Sequence, residues 1–319
     1  MNVLSQLRKV HDLKATGTSN PPLRKLRTEQ PNPAASNLDQ KSALEIVRLI
    51  NAEDATVTHA VSRALPQIAR AIDLIAASLR QGGRLIYVGA GTSGRIAALD
   101  AAECIPTFST DRVQFIMAGG AKAIASESEV SEDDTESGRK EISRRKAGKN
   151  DVILGISSSG RTPFTVAAVA EARRRGARTI ALTCNRNSPL ERAADDAIVV
   201  EVGPEVLTGS SRMKAGTAHK MILNMISTAI MTRLGYVYGN LMVNVEPKNS
   251  KLRDRAIRIL EQATGADHET AQRALKASGN RTPVALVMLS ARVTRKRAAG
   301  ALKKTNGNVR GAIAVAQQN

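Results

Sequence analysis

The chain has no tryptophan and only three tyrosines and three phenylalanines in 319 residues. Its core must therefore be built from Ala, Val, Ile and Leu, and stacking of aromatic rings on nucleic-acid bases is excluded as a main activity. Cysteine is almost absent. Cys104 and Cys184 are too few for a disulfide framework and belong to no CxxC or Cys/His ligand cluster, which fits a reducing compartment. The four histidines, His11, His59, His219 and His268, are scattered. That spacing suggests neither a metal site nor a Ser/His/Asp hydrolase, and no cofactor is implied. His219, within a long helical pattern, reads as a structural residue. Nothing approaches the roughly 20 consecutive apolar residues of a membrane span, and no apolar stretch follows the basic N-terminus as in a signal peptide. A cytoplasmic protein without a membrane partner is expected.

What is present is a 42% hydrophobic composition, enough for one sizeable α/β core with something smaller appended, and a formal net charge of +18. The charge is concentrated at the ends. Residues 1–27 hold six Lys/Arg against one acid and residues 258–319 hold eleven against three, leaving +5 for the stretch between. Basic ends of this kind are solvated faces more often than specific sites, so no specific nucleic-acid partner is expected.

Residues 1–27 lack apolar periodicity and read as a flexible, dispensable basic arm. Apolar residues then recur at helical spacing over Ala43–Asn51 and Val57–Leu79, which predicts two amphipathic helices. Short apolar runs follow at Leu85–Val88, Val113–Met117, Val152–Ile156, Thr179–Leu182 and Ile198–Val202, each trailed by a segment long enough for a crossover. That alternation predicts an α/β fold, a doubly wound parallel five-stranded sheet flanked by helices, with binding at the carboxyl ends of the strands. Residues 28–250 form this domain, ending in a long helix over about Ser211–Leu234. Residues 251–319 read as a small helical C-terminal domain, broken at Thr264-Gly265 and Ser278-Gly279-Asn280.

Three polar loops carry the chemistry. The first apolar run leads into Gly89-Ala90-Gly91-Thr92-Ser93-Gly94 at the start of a helix, where exposed N–H groups and the Thr92 and Ser93 hydroxyls form an anion cradle. The same spacing matches a dinucleotide fingerprint, but the next run ends in Ala118-Gly119-Gly120 rather than in the acid that would hold a ribose. The third run leads into Ser157-Ser158-Ser159-Gly160-Arg161-Thr162-Pro163, with four hydroxyls in six positions and Pro163 suited to a first helical turn. The two loops together suit a phosphate monoester. Ser210, Ser211 and Lys214 crowd the start of the long helix, where two readings stay open, a plain N-cap or a further anion site.

The strings LIYVGAGTSGR with DAAEC, GISSSGRTP, TGSSRMKAGTAHK and GNLMVNV jointly resemble the N-acetylmuramic acid 6-phosphate etherases, a family built on the sugar isomerase (SIS) domain. The resemblance runs from about Thr28-Glu29 to the C-terminus. It implies a homodimeric lyase, without metal or organic cofactor, that converts N-acetylmuramate 6-phosphate and water to N-acetylglucosamine 6-phosphate and D-lactate. It further implies two acid/base glutamates. One is Glu103, in the DAAEC string; the other lies in the acidic segment after the second strand and aligns as Glu132, with Glu127 and Glu129 in the same run. Other functions compatible with these loops are a non-catalytic sugar-phosphate sensor, a transcription regulator and an aldose-ketose isomerase. The chain is short for the duplicated domain of the first, and residues 1–40 lack the helix-turn-helix of the second.

Two carboxyls suit the implied chemistry, because the C2 proton must be removed and the lactyl oxygen protonated as it leaves. One geometric expectation follows. A continuous helix from Ser93 carries Glu103 about 15 Å along its axis at about 1.5 Å per residue. Either the helix breaks before Cys104-Ile105-Pro106, or Glu103 serves a site completed by another subunit.

Overall fold

The computed structural model describes residues 22–125 and 129–318. Residues 1–21 of the expected arm lie outside them. The remainder of that arm is engaged with the fold: Leu26 is buried, and the Arg27 N–H donates to Asn185 Oδ1 at 3.0 Å. Four 3₁₀ turns then carry the chain to Ser42.

Helix α1, Ala43–Arg80, is a single element of 38 residues, where the periodicity predicted two. The linking stretch Ala52-Glu53-Asp54-Ala55-Thr56 contains no Gly or Pro, so nothing interrupts the backbone ladder. A capping box starts the helix: Ser42 Oγ accepts the Glu45 N–H, and the Ser42 N–H donates to Glu45 Oε2 at 2.8 Å. Pro66 sits inside α1 at the cost of one ladder bond.

The sheet comprises β1 Leu85–Gly89, β2 Val113–Met117, β3 Val152–Ser157, β4 Arg178–Thr183 and β5 Asp196–Val199. All pairs are parallel in the order β2-β1-β3-β4-β5. The expected fifth run, Ile198–Val202, is displaced toward its N-terminus. Register with β4 sets the strand: Ile180 pairs with Asp196 and Thr183 with Val199, and there β4 ends.

The connecting helices are α2 Gly91–Phe108, α3 Glu129–Glu132, α4 Thr135–Arg144, α5 Pro163–Arg174 and α6 Pro189–Ala193, and α7 Lys214–Arg233 follows the sheet. Side chains alternate across the strands. Leu85, Tyr87, Leu154, Ile156, Ile180 and Leu182 pack with α1, α2 and α7 on one face. Ile86, Val88, Ile153 and Ala181 pack with α4, α5 and α6 on the other. With both faces covered, a strand must be apolar at nearly every position, which is why the five runs read as continuous rather than alternating.

The last five helices, α8 Ser250–Thr264, α9 His268–Ala277, α10 Thr282–Ala291, α11 Arg295–Lys304 and α12 Val309–Gln317, surround a core of their own that includes Val243 and Val245. The expected breaks are present. Gly265 adopts a left-handed cap at φ 72°, and residues 278–280 separate α9 from α10. No helix among the described residues is long and apolar enough to cross a membrane.

Candidate active site

Neighbouring strands β1 and β3 send their outgoing connections to opposite sides, β1 toward β2 and β3 toward β4. This is the switch point at which a crevice opens beyond the carboxyl ends of a doubly wound sheet. Gly89 pairs with Ile156 across the ladder, so the loops that follow β1 and β3 start about 5 Å apart.

The β1 loop turns tightly into α2. Gly91 takes a left-handed φ of 50°, and a Cβ on Gly94 would lie 2.9 Å from Met117 Cγ and 3.0 Å from the Gly89 carbonyl oxygen. Only glycine at 94 lets the helix start this close to its strand. Ala90, the N-cap residue, places no side chain on the first-turn N–H groups. Gly91, Thr92 and Ser93 therefore present donors that have no intrahelical acceptor. The β3 loop is held differently. Ser157 Oγ lies 2.9 Å from Thr162 Oγ1 and 3.4 Å from Ser159 Oγ and accepts the Gly160 N–H at 3.1 Å. Ser159 Oγ accepts the Arg161 N–H at 3.2 Å. Ser158 turns its backbone oxygen to the Cys184 N–H and to Asn185 Nδ2.

The third polar segment is capped from within the chain. Glu205, fully buried, accepts the N–H groups of Lys214 at 2.8 Å and Ala215 at 3.0 Å. The anion at this helix start is thus the chain's own carboxylate, so the N–H groups expected to take a ligand are already occupied. Burial pushes the Glu205 carboxyl above the usual carboxylate range, against the pull of those two backbone donors. Lys214 is buried, and its Nζ donates to Glu53 Oε2 of α1 at 2.5 Å. Ser210 and Ser211 are half-buried in the turn before α7. The start of α7 nevertheless borders the β1 loop, since a Cβ on Gly216 would lie 3.5 Å from Thr92 Cγ2.

The two sequence-predicted glutamates are treated unequally. Glu132, in α3, reaches the β1 loop: a Cβ on Gly91 would meet its Oε1 at 2.7 Å. Glu127 lies outside the described residues. Glu103 stands exposed on α2, which continues unbroken through Pro106 to Phe108, so the helix break is excluded. Ten residues past Ser93, Glu103 is about 15 Å along the axis from the loop of its own chain. On the same helix Leu99 and Ile105 are about half exposed.

Several residues at the site escaped sequence reasoning. Asn185, two residues after β4, joins three segments: Nδ2 donates to Ser158 O at 2.9 Å and Thr28 Oγ1 at 3.1 Å, while Oδ1 accepts from Arg27. Its place at the end of a strand was the available signal. Asp100 accepts from Tyr87 Oη at 2.9 Å and Ser227 Oγ at 3.0 Å, tying β1, α2 and α7 together; burial raises its pKa. His219, completely buried in α7, lies between Ser93 Oγ at 3.4 Å and Cys184 Sγ at 3.8 Å, and burial holds its pKa down to about 4.

Residues 67–173 match the family model of the glucokinase regulatory protein N-terminal SIS domain, and residues 140–229 match that of the SIS domain. N-acetylmuramic acid 6-phosphate etherase 1 of Bacillus licheniformis is 46% identical over 296 residues, covering 92% of this chain and 97% of that protein. N-acetylmuramic acid 6-phosphate etherase of Aeromonas hydrophila is 50% identical over 282 residues, covering 88% and 95%, and that of Symbiobacterium thermophilum is 53% identical over 273 residues, covering 85% and 91%. A solved phosphoheptose isomerase from Francisella tularensis is 20% identical with a TM-score of 0.48, over 60% of this chain and 98% of that one. Sequence identity of this level along nine-tenths of the chain makes the protein a member of the N-acetylmuramic acid 6-phosphate etherase family.

Proposed function

We propose that the protein is a carbon-oxygen lyase that cleaves the D-lactyl ether of N-acetylmuramate 6-phosphate in cell-wall recycling, giving N-acetylglucosamine 6-phosphate and D-lactate. The observation that carries this reading is a carboxylate, Glu132, set against Gly91 of an open phosphate-type loop in a chain of this family. In the assigned chemistry the sugar ring opens, and the C2 proton, acidified by the C1 aldehyde, passes to a carboxylate. The C3–O bond then breaks, its electron pair leaves with the lactyl oxygen, and that oxygen takes a proton from the second carboxyl. Water adds to the resulting C2–C3 double bond, hydroxyl to C3 and proton to C2. Each positioned proton transfer contributes about 10² to 10⁴ in rate.

We assign the phosphate to the N–H groups and hydroxyls of Gly91, Thr92, Ser93, Ser157, Ser158, Ser159 and Thr162, with Ser210 and Ser211 at the rim. Lys214 serves by holding α1 to α7 through Glu53 rather than by touching the ligand. Glu132 acts as one acid/base group at the loop of its own chain. Glu103 acts at the site of a second copy, in a homodimer whose contact includes Leu99 and Ile105 on the exposed side of α2; its exposure and its distance from its own loop support that arrangement.

The test is D-lactate release from N-acetylmuramate 6-phosphate by the purified protein, with unphosphorylated N-acetylmuramate as the control. Comparable kcat/KM for the two sugars would remove the phosphate assignment. Tight binding of the phosphate ester without lactate release would establish instead a sensor, the reading that the match of residues 67–173 to the glucokinase regulatory protein domain favours.

A further inference from the structure

Ser93, Cys184 and His219 come from three separate elements, the first turn of α2, the end of β4 and the second turn of α7, and meet out of solvent. Ser93 is 8% exposed, Cys184 1% and His219 0%. The imidazole spans the other two, with Nδ1 3.4 Å from Ser93 Oγ and Nε2 3.8 Å from Cys184 Sγ. We propose that His219 is a positioning residue for the phosphate loop: held by the Cys184 thiol, its ring donates to the Ser93 oxygen and so commits the Ser93 hydroxyl proton to the bound phosphate.

The argument is one of donors and acceptors. A neutral imidazole has one of each, and burial, which disfavours the charged form, keeps this ring neutral. Cys184 is buried, and its pKa is raised chiefly by that burial and further by Glu205, so it remains a thiol. A thiol donates from S–H better than its sulfur accepts, so Nε2 is the acceptor and Nδ1 carries the hydrogen. Nδ1–H then donates to Ser93 Oγ. The serine has a single proton, and with its oxygen satisfied from behind that proton is available to an anion in the loop. The opposite tautomer spends the Ser93 proton on His219 and turns a lone pair toward the phosphate, which an anionic ligand disfavours.

This inference rests on the reading of the β1 loop as the phosphate site, and the experiment separates the two. Ser93→Ala should weaken binding of N-acetylmuramate 6-phosphate; unchanged binding overturns the loop assignment itself. His219→Leu should raise KM about three- to tenfold, the weight of one neutral hydrogen bond, with kcat little changed. His219→Asn, whose side-chain amide reaches the Nδ1 position, should restore KM most of the way. In a Ser93→Ala background His219→Leu should raise KM no further; an equal rise there, or a fall in kcat alone, overturns the positioning role. Imidazole ¹⁵N NMR of the unmutated protein with inorganic phosphate gives a measurement independent of any variant's folding. An Nδ1–H tautomer is expected, and an Nε2–H tautomer in the phosphate-bound protein overturns the proposal.

Discussion

In the C-terminal helical region, α8, α9, α11 and α12 each begin under the side chain of their own N-cap residue, Asn249, Asp267, Thr294 and Asn308. The helices that follow β1 and β3 begin instead at Ala90 and Thr162, which place no side chain on the first-turn N–H groups. Unmatched donors at a helix start cost stability unless an acceptor arrives from elsewhere. In these four C-terminal helices the acceptor is local and serves only the fold. At α2 the position is left to something outside the helix, and the N-terminal end of a helix is where an anion is best received. α7 is the intermediate case, because its acceptor, Glu205, comes from nine residues upstream. α10, entered from Arg281, also lacks a side-chain cap, but only α2 and α5 lead out of neighbouring strands at the switch point, where giving up local stability keeps a binding surface open.

The largest test of this contrast uses the carboxylates. Glu132→Gln should reduce lactate release by about 10² to 10⁴ in a protein that still folds, because Glu132 adjoins the open loop and has no part in the core. Solvent deuterium separates the roles. If Glu132 removes the C2 proton, its Gln variant loses exchange at C2 together with elimination, while Glu103→Gln abolishes lactate release and retains some exchange. Retained exchange in Glu132→Gln with loss in Glu103→Gln assigns the base to Glu103. Near-normal lactate release by either folded variant removes that residue from the mechanism.

How much of this was readable in the sequence follows from the range of the forces involved. The β1 and β3 loops were legible as strand-to-helix turns because strand, turn and helix start are consecutive in the chain. The C-terminal breaks were legible for the same reason at Gly265. The single α1 was not: periodicity showed two amphipathic stretches, and only the lack of a breaker between Asn51 and Val57 joins them. β5 was displaced because its limits depend on the length of β4, a partner outside its own sequence. The capping of α7 by Glu205 was hidden because no local motif places an N-cap nine residues before its helix. His219 read as a structural residue of the long helix and not as a neighbour of Ser93, from which it is separated by 126 positions.

A second, smaller effect concerns the buried side of the site and appears as a dependence of stability on pH. His219 has a pKa of about 4 in the folded protein, lowered by desolvation, against 6.5 for the free side chain. Below pH 6.5 the unfolded chain takes up a proton that folded His219 refuses until about pH 4, so its contribution is complete above 6.5 and is lost as pH falls through that interval. The difference corresponds to about 3 kcal/mol. Burial also raises the pKa of Glu205, so the effect is isolated by comparison with His219→Gln rather than read from one protein. In urea unfolding the stability difference between the two should shrink steadily from pH 7 to pH 4. A difference that does not change with pH contradicts the buried, neutral state of the ring.

The smallest effect is expected where helix starts serve only the fold, and Asn308 provides the sharpest case because its two contacts can be separated. Its Oδ1 accepts the Gly311 N–H at 2.7 Å, which caps α12. The rest of the side chain lies against Gly235, where a Cβ would collide with Asn308 Cγ, so the same residue also seats α12 on the end of α7. Asn308→Ala removes both contacts and should cost about 1 kcal/mol, the usual weight of a lost cap, while Asn308→Ser keeps an acceptor for the Gly311 N–H and should recover most of that loss if capping dominates. If Ser is as destabilising as Ala, the packing on Gly235 contributes more than the cap. In either variant kcat/KM per folded molecule should equal that of the unmutated protein, because α7 meets the β1 loop at Gly216, near its other end, nineteen residues before Gly235. A folded Asn308→Ala protein with reduced lactate release would break the division between regions: the seat of α12 would then be transmitted along α7 to Thr92 and Ser93, and the C-terminal helices would belong to the site as well as to the fold.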